Sequence, residues 1–472
     1  QNPNSGQGGN LTVIAEEFVE VSGVSPDGKN LSVLSTATSG QGNAGDLEIQ
    51  TGRLTVKNRA IVAASTAGEG KGGNLIINAD FVELLGIAGS LLLPSGLSTD
   101  TIGEGDAGNL IINTRRFVAR DGAVASVSTF SEGEGGNLIV NAQSVELIGT
   151  ATNGLPSGLY AQAFGNGDAG DLIVNTEYLT IQNNAQITVA AGNAANINLP
   201  NATETVFGNI TLPTLPNKAN GNAGDAKITA DSILLNNQGA IIAQTESSEG
   251  GNIDLFVNCL LLLRNNSQIS TTAGTAQAGG NGGNITIDAP NGFIIAIPSE
   301  NSDITANAFE GDGGRVDITT QGILGLEFRD HTTSLSDITA SSERGLDGEV
   351  NINLTVETEP EQGLTNPPNE PVDVELIEGC QVGRGGESAQ FSYVGEGGSP
   401  PASEDISDTS VSPWLPLTSS ENDSEPEVSG DSADVDEDVE EDNTASQSPK
   451  SKKVIITQEL VTSEIPTPIC QQ

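Results

Sequence analysis

The sequence contains no methionine, three cysteines, one histidine, one tryptophan and only 3% aromatic residues. The absence of methionine implies a fragment or a processed form rather than a whole translation product. Cys259, Cys380 and Cys470 are too few and too far apart for a disulfide framework or a metal-ligand cluster. Cys259, inside the run FVNCLLLL, reads as a small core residue. Basic residues are scarce, with 18 Lys and Arg against 63 Asp and Glu and a net charge of -45, so no cationic surface exists to neutralise a phosphate backbone and nucleic-acid partners are excluded. No run of 18 apolar residues suggests a transmembrane segment. The opening residues have neither the basic nor the apolar region of an export signal.

Glycine is what the sequence has in abundance, at 58 residues, without the every-third-residue period of collagen. A glycine followed by a polar residue and an alternating segment recurs: GNLTV, GDLEI, GNLII, GNLII, GNLIV, GDLIV, GDAKI, GNIDL, GNITI, GRVDI, GEVNI. These glycines are Gly9, Gly45, Gly73, Gly108, Gly136, Gly170, Gly224, Gly251, Gly283, Gly314 and Gly348. A spacing near 30 with one long interval is the mark of stacked structural repeats.

Each unit reads as three short strands. The first alternates, with Leu75 and Ile77, Leu110 and Ile112, Leu138 and Val140, Leu172 and Val174, Ile285 and Ile287, or Val350 and Ile352 on one face. The second is an apolar patch such as FVEL from Phe81, YLTI from Tyr178 or LLLL from Leu260, and the third sets an aliphatic residue among small polar ones, as in AIVAAST from Ala60 or SDITA from Ser302. Gly, Asn and Ser turns would join them. No helical period competes. The fold class predicted is all-β, a right-handed parallel β-helix (solenoid) of roughly 11 three-stranded coils, in which each strand pairs with its equivalent one turn on.

The domain reading follows from where this pattern holds. Residues 1–356 carry the repeats, with an insertion or a degenerate coil at about 192–219. Residues 357–378 form a linker, 379–401 a Gly-rich C-terminal motif and candidate cap over the last strand edge, and 402–472 an acidic, mostly disordered tail. From Glu357 onward there are 26 acidic and 4 basic residues, so a quarter of the chain holds half of the net charge.

Chemistry-bearing constellations are few. Asp303 and Asp337 occupy one place in two SDITA units and would become neighbours if the units stack. They would then form an outward carboxylate ladder, a divalent-cation site, or an acid and nucleophile pair. Against catalysis stand the lone His331, the shortage of nearby Lys and Arg, and the few aromatics. The turns from Gly103, Gly165 and Gly279 resemble Gly-Asp calcium loops but lack the tandem nonapeptide and read as corners. Asn78, Asn113, Asn141 and Asn175 share one position of successive units and predict an amide ladder. Ile76, Ile111, Ile139 and Ile173 predict an outward aliphatic stripe, covered by this chain or facing a partner, with Lys227, Asp254, Thr286, Asp317 and Asn351 at the same place later. No residue is assigned to catalysis, a cofactor or a metal.

The repeated GGNLIINA, FVEL and IxAST units with their Gly-rich corners resemble the repeat region of large cyanobacterial filamentous-haemagglutinin-type exoproteins, the secreted partners of two-partner secretion systems. The likeness spans about residues 1–356. CQVGRGGESAQFSYVGEGGSPP, from Cys380 to Pro401, is similar to their C-terminal element. The resemblance implies export through an outer-membrane two-partner secretion transporter, an extracellular or outer-cell-surface location, and adhesion or cell-surface interaction with glycans or proteins of a host or neighbouring cell. It implies no enzyme and no cofactor. Two other readings stay open: a polysaccharide-active lyase or glycosidase, and a self-assembling surface-layer or matrix scaffold.

Overall fold

A computed structural model describes residues 6–25, 31–86, 95–192, 205–206, 210–211 and 220–355. The linker, the Gly-rich motif and the acidic tail predicted after residue 356 lie outside the described residues. The described part is all-β, with no α-helix and a single 3-10 turn at Pro298–Glu300. Apart from short antiparallel contacts such as Thr205–Val206 with Ile210–Thr211, its strands pair in parallel.

Pairing follows the glycine-headed units. Leu11 pairs with Leu47, Leu47 with Leu75, Leu75 with Leu110, Leu110 with Leu138, Leu138 with Leu172, Leu172 with Ala226, and the series continues to Val350. The long interval is bridged in one step, because Leu172 and Tyr178 pair directly with Ala226 and Ser232. Among the described residues, no strand from the 192–219 interval is inserted between these pairs.

The predicted class is corrected in its architecture. Three strands per unit were expected, and the described residues form two large hydrogen-bonded sheets besides the two-stranded Thr205–Val206 and Ile210–Thr211 pair. In seven units the first two segments run on as one strand of 10–12 residues, Leu11–Ser22, Leu47–Lys57, Leu75–Leu85, Ala226–Asn236, Ile253–Arg264, Ile285–Ala296 and Arg315–Leu324, and the described residues end with the six-residue strand Glu349–Leu354. Only three intermediate units are interrupted. Their halves, Leu110–Asn113, Leu138–Asn141 and Leu172–Asn175 on one side and Arg116–Arg120, Ser144–Ile148 and Tyr178–Gln182 on the other, both dock onto Leu75–Leu85 and Ala226–Asn236. These eight strands close a circuit of parallel pairing within a fourteen-stranded sheet. The molecule is therefore a closed eight-strand parallel arrangement with flanking sheet, plus a second sheet of eleven strands, mostly three residues long, rather than a right-handed β-helix of 11 three-stranded coils. The physical reason is that a bulge bends a strand without ending its ladder. Register shifts of this kind fall at Ala15/Phe18, Ala230/Ser232, Phe256/Leu260 and Ala289/Phe293, between the first and second segments of their units.

The larger of two hydrophobic clusters lies between the two large sheets, and a smaller one gathers Val124, Tyr160, Phe164, Ala190, Ala240 and Ile242. Leu75, Ile77, Leu110, Ile112, Leu138 and Val140 point into the larger, as do Val62, Leu97, Leu159 and Ile187 from the middle of the short strands, all fully buried. Each such aliphatic side chain contributes roughly 2 kcal/mol of burial. The corner glycines are fixed by close approach: a Cβ on Gly136 would run into the carbonyl oxygen of Gly108, and one on Gly73 into that of Gly45. The polar residue after each glycine has its own task. Its side-chain oxygen accepts the N–H of its counterpart in the next unit, as in Asp46 N to Asn10 Oδ1 at 2.9 Å, Asn137 N to Asn109 Oδ1 at 2.9 Å and Asn284 N to Asn252 Oδ1 at 3.0 Å. At the turns into the short strands, Asn183, Asn184, Asn265 and Asn266 all have positive φ, which Asn tolerates better than most residues.

Candidate functional site

The amide ladder forms as predicted. Asn113 Nδ2 donates to Asn78 Oδ1, Asn141 Nδ2 to Asn113 Oδ1 and Asn175 Nδ2 to Asn141 Oδ1, each at 2.9 Å. Its inner amide groups are spent on one another, and the Asn78 amide donates to Glu48 at 3.4 Å. Ile76, Ile111, Ile139 and Ile173 stand in register beside it, and each is half-buried.

Asp303 and Asp337 are neighbours in adjacent units, with the Asp337 N–H donating to Asp303 Oδ1 at 2.9 Å. Their surroundings differ. Asp337 is fully buried and its carboxylate accepts bonds from Arg329 Nη1 and the Thr333 N–H, together with the Thr333 hydroxyl at 3.2 Å. Arg329 also donates to the Ser336 carbonyl at 3.2 Å and pairs with Glu327 at 2.8 Å. These residues belong to the 325–336 loop, whose strand Glu327–Phe328 lies against Asp337–Thr339 and ends the eleven-stranded sheet. Asp337 is thus the anchor of a short edge strand, a device that blunts an open sheet edge. Asp303 is pushed up to about 6, chiefly by burial and further by the Asp337 charge, against the opposing effects of the Asp337 N–H and Arg329. Both Asp337 oxygens are committed to protein donors. Among the described residues no group of three or more His, Cys, Asp and Glu is placed to hold a metal ion.

Cys259 is buried, as read from its apolar run, and it is also disulfide-bonded, a single bond that the sequence did not announce. Cys380 and Cys470 lie outside the described residues. Asp100 was not singled out in the sequence. It accepts the Ser98 hydroxyl at 2.8 Å and the Ser126 hydroxyl and Ser128 N–H at 2.6 Å each, while burial raises its carboxyl above the ordinary value. Nothing in its immediate sequence, STD, announces that role.

A surface constellation also escaped the sequence reading. On the outward face of the long strands, Phe18, Arg53, Phe81 and Arg116 stand side by side in four successive units. The Arg53 guanidinium lies 4.5 Å from the Phe81 ring centroid and that of Arg116 lies 5.8 Å from it. Two positions along, Glu20, Thr55, Glu83 and Val118 form the next row. Glu20 pairs with Lys57 at 3.0 Å, and Arg116 with Glu146 at 2.8 Å. Phe18, Glu17, Glu20, Arg53, Lys57 and Glu83 line an open cleft of about 440 Å³. Phe18, 63% exposed, is its uncovered apolar surface. One free aromatic face bordered by carboxylates and cations can stack a flat apolar ligand face and hydrogen-bond its polar rim.

Comparison with protein-family models, with characterised proteins and with solved structures finds no match for this chain.

Proposed function

We propose that this chain is a non-enzymatic binding part of a secreted or surface-exposed exoprotein that engages glycans or proteins at a cell surface. The cleft around Phe18 is the observation that carries this reading. An exposed ring beside Glu20, Glu83, Arg53 and Lys57 suits the mixed polar and apolar faces of a sugar better than it suits a purely anionic partner. The reading is supported by the resemblance of the repeats to two-partner secretion exoproteins, and the disulfide at Cys259 is consistent with an oxidising compartment. On this reading an outer-membrane transporter is the export partner.

The test is binding of the purified chain to an array of surface polysaccharides and oligosaccharides, with Phe18→Ala as the control. Selective binding lost in Phe18→Ala is expected, and equal retention by both proteins removes the cleft from the function. Turnover of a bound glycan, abolished in Glu83→Gln, would replace this reading by the polysaccharide-active one. Secretion that stops when the partner transporter is deleted is the matching test of export.

A further inference from the structure

The outward face of the long strands changes character along the molecule. Where Glu146 and Thr180 stand in two successive units, their register partners in the next four are Leu234, Leu262, Ile295 and Leu324. Leu260 and Phe293 lie beside this row, two positions back along their strands and in register with each other. Phe293 is 42% and Leu324 57% exposed, and the other four are half-buried. A continuous apolar face of this kind is a contact surface.

A covalent bond marks what covers it. Cys259 directly precedes Leu260, at the bulge inside Ile253–Arg264, and it is disulfide-bonded. The other cysteines of the chain are Cys380 and Cys470, so the residues around one of them are held at the margin of the apolar face. Bonded cysteines place their Cα atoms about 4.4–6.8 Å apart, and successive units are separated by about 4.8 Å. The residues beside the partner cysteine therefore fall within about one unit of Leu260 and Phe293. Their chemistry chooses between the two. Cys380 sits between Gly379 and Gln381, with Glu378 next to them, whereas Cys470 follows Pro468 and Ile469, and no side chain from Thr467 to Gln472 is charged. At the Cys259 corner the Asp231 carboxylate accepts the Asn258 amide at 2.7 Å, so a Glu378 brought there would meet like charge. We propose that Cys259 is bonded to Cys470 and that the segment Thr467–Gln472 packs over the apolar row, with Pro468 and Ile469 against Leu260, Leu262 and Phe293. The chain between Thr355 and Cys470 then becomes a loop fastened to the repeats at both ends. This contact is independent of any ligand in the Phe18 cleft.

The experiment is peptide mapping of the full 472-residue chain, purified under oxidising conditions and alkylated without reduction. Trypsin places the three cysteines on separate peptides, 228–264, 345–384 and 454–472, so the linked pair is read from its mass. Peptide 228–264 joined to 454–472 is expected. Packing is read from the fluorescence of an uncharged apolar dye. In a Cys380→Ser background, which is expected to keep the bond and the dye signal of wild type, Cys470→Ser and Ile469→Asp are each expected to raise that signal about threefold, with circular dichroism unchanged. Ile469→Asp keeps the bond, which separates packing from tethering. Peptide 228–264 joined to 345–384, or recovered alkylated, overturns the proposal. So does a dye signal that either variant leaves at the background level.

Discussion

Replacing Asn113 by Ala removes the middle of the amide ladder, and the structure sets the size of the loss. Asn113 donates to Asn78 and accepts from Asn141, both at 2.9 Å, so one truncation breaks two bonds and takes the Asn113 partner from both the Asn78 oxygen and the Asn141 amide. A net 0.5–1.5 kcal/mol for each bond gives a destabilisation of about 2 kcal/mol. Asn175 is exposed and ends the ladder, since its register partner in the next unit is Thr229; its replacement breaks one bond and costs about 0.5–1 kcal/mol. Urea unfolding followed by circular dichroism measures both variants. A double-mutant cycle on Asn78→Ala and Asn113→Ala isolates their shared term, expected near 1 kcal/mol. Equal costs at Asn113 and Asn175, or a coupling near zero, would refute the ladder as a stabilising element and reduce it to four solvated amides.

Gly136→Ala is expected to lower the unfolding midpoint severely, because its Cβ runs into the Gly108 carbonyl, while Gly149→Ala, with φ of 76° and open space, costs about 1 kcal/mol; a thermal melt of each compares them. Arg329→Gln leaves the Asp337 carboxylate buried without its cation and costs about 3 kcal/mol, with protease cleavage appearing in the 329–335 loop first. Asp303 has its folded value raised to about 6 from an ordinary 3.8, so the folded state holds the proton more tightly and stability from this group falls as pH rises from about 4 to 6. The measurement is the pH dependence of the urea midpoint in wild type minus that in Asp303→Asn; a difference that grows in wild type's favour as pH rises would contradict it.

Much of this architecture is legible along the chain. The Gly-polar-aliphatic string recurs because each of its three residues meets its own counterpart: the glycine a carbonyl, the polar residue an N–H, the aliphatic the core. That is why the spacing alone predicted the register from Leu11 to Val350, and why the four asparagines at one offset announced their ladder. What stayed hidden depends on single-residue shifts. Two residues, Glu16 and Glu17, stand opposite Gly52, and this bulge brings Phe18 rather than Glu17 beside Arg53. No pattern of similar residues marks the Phe18 row, since its members alternate between aromatic and cationic. The same bulges carry hydrogen bonding across the junction between the first and second segments, which merged two expected strands into one. The Asp303 and Asp337 pairing was visible as repetition, but the roles of the two carboxylates diverge because Arg329 comes from an irregular loop that no repeat encodes.

The varying lengths between matched positions have a mechanical consequence. Successive ladder bonds span as few as 27 residues, as between Asp225 and Asn252, and as many as 54, as between Asp171 and Asp225. Under tension such a chain would yield one unit at a time, each paying out slack of about 3.4 Å per residue, from roughly 9 nm for the shortest unit to roughly 18 nm for the longest. The loops that interrupt the repeats are therefore also reserves of length, and the pulling force at which each is released is set by the strand pairs it separates.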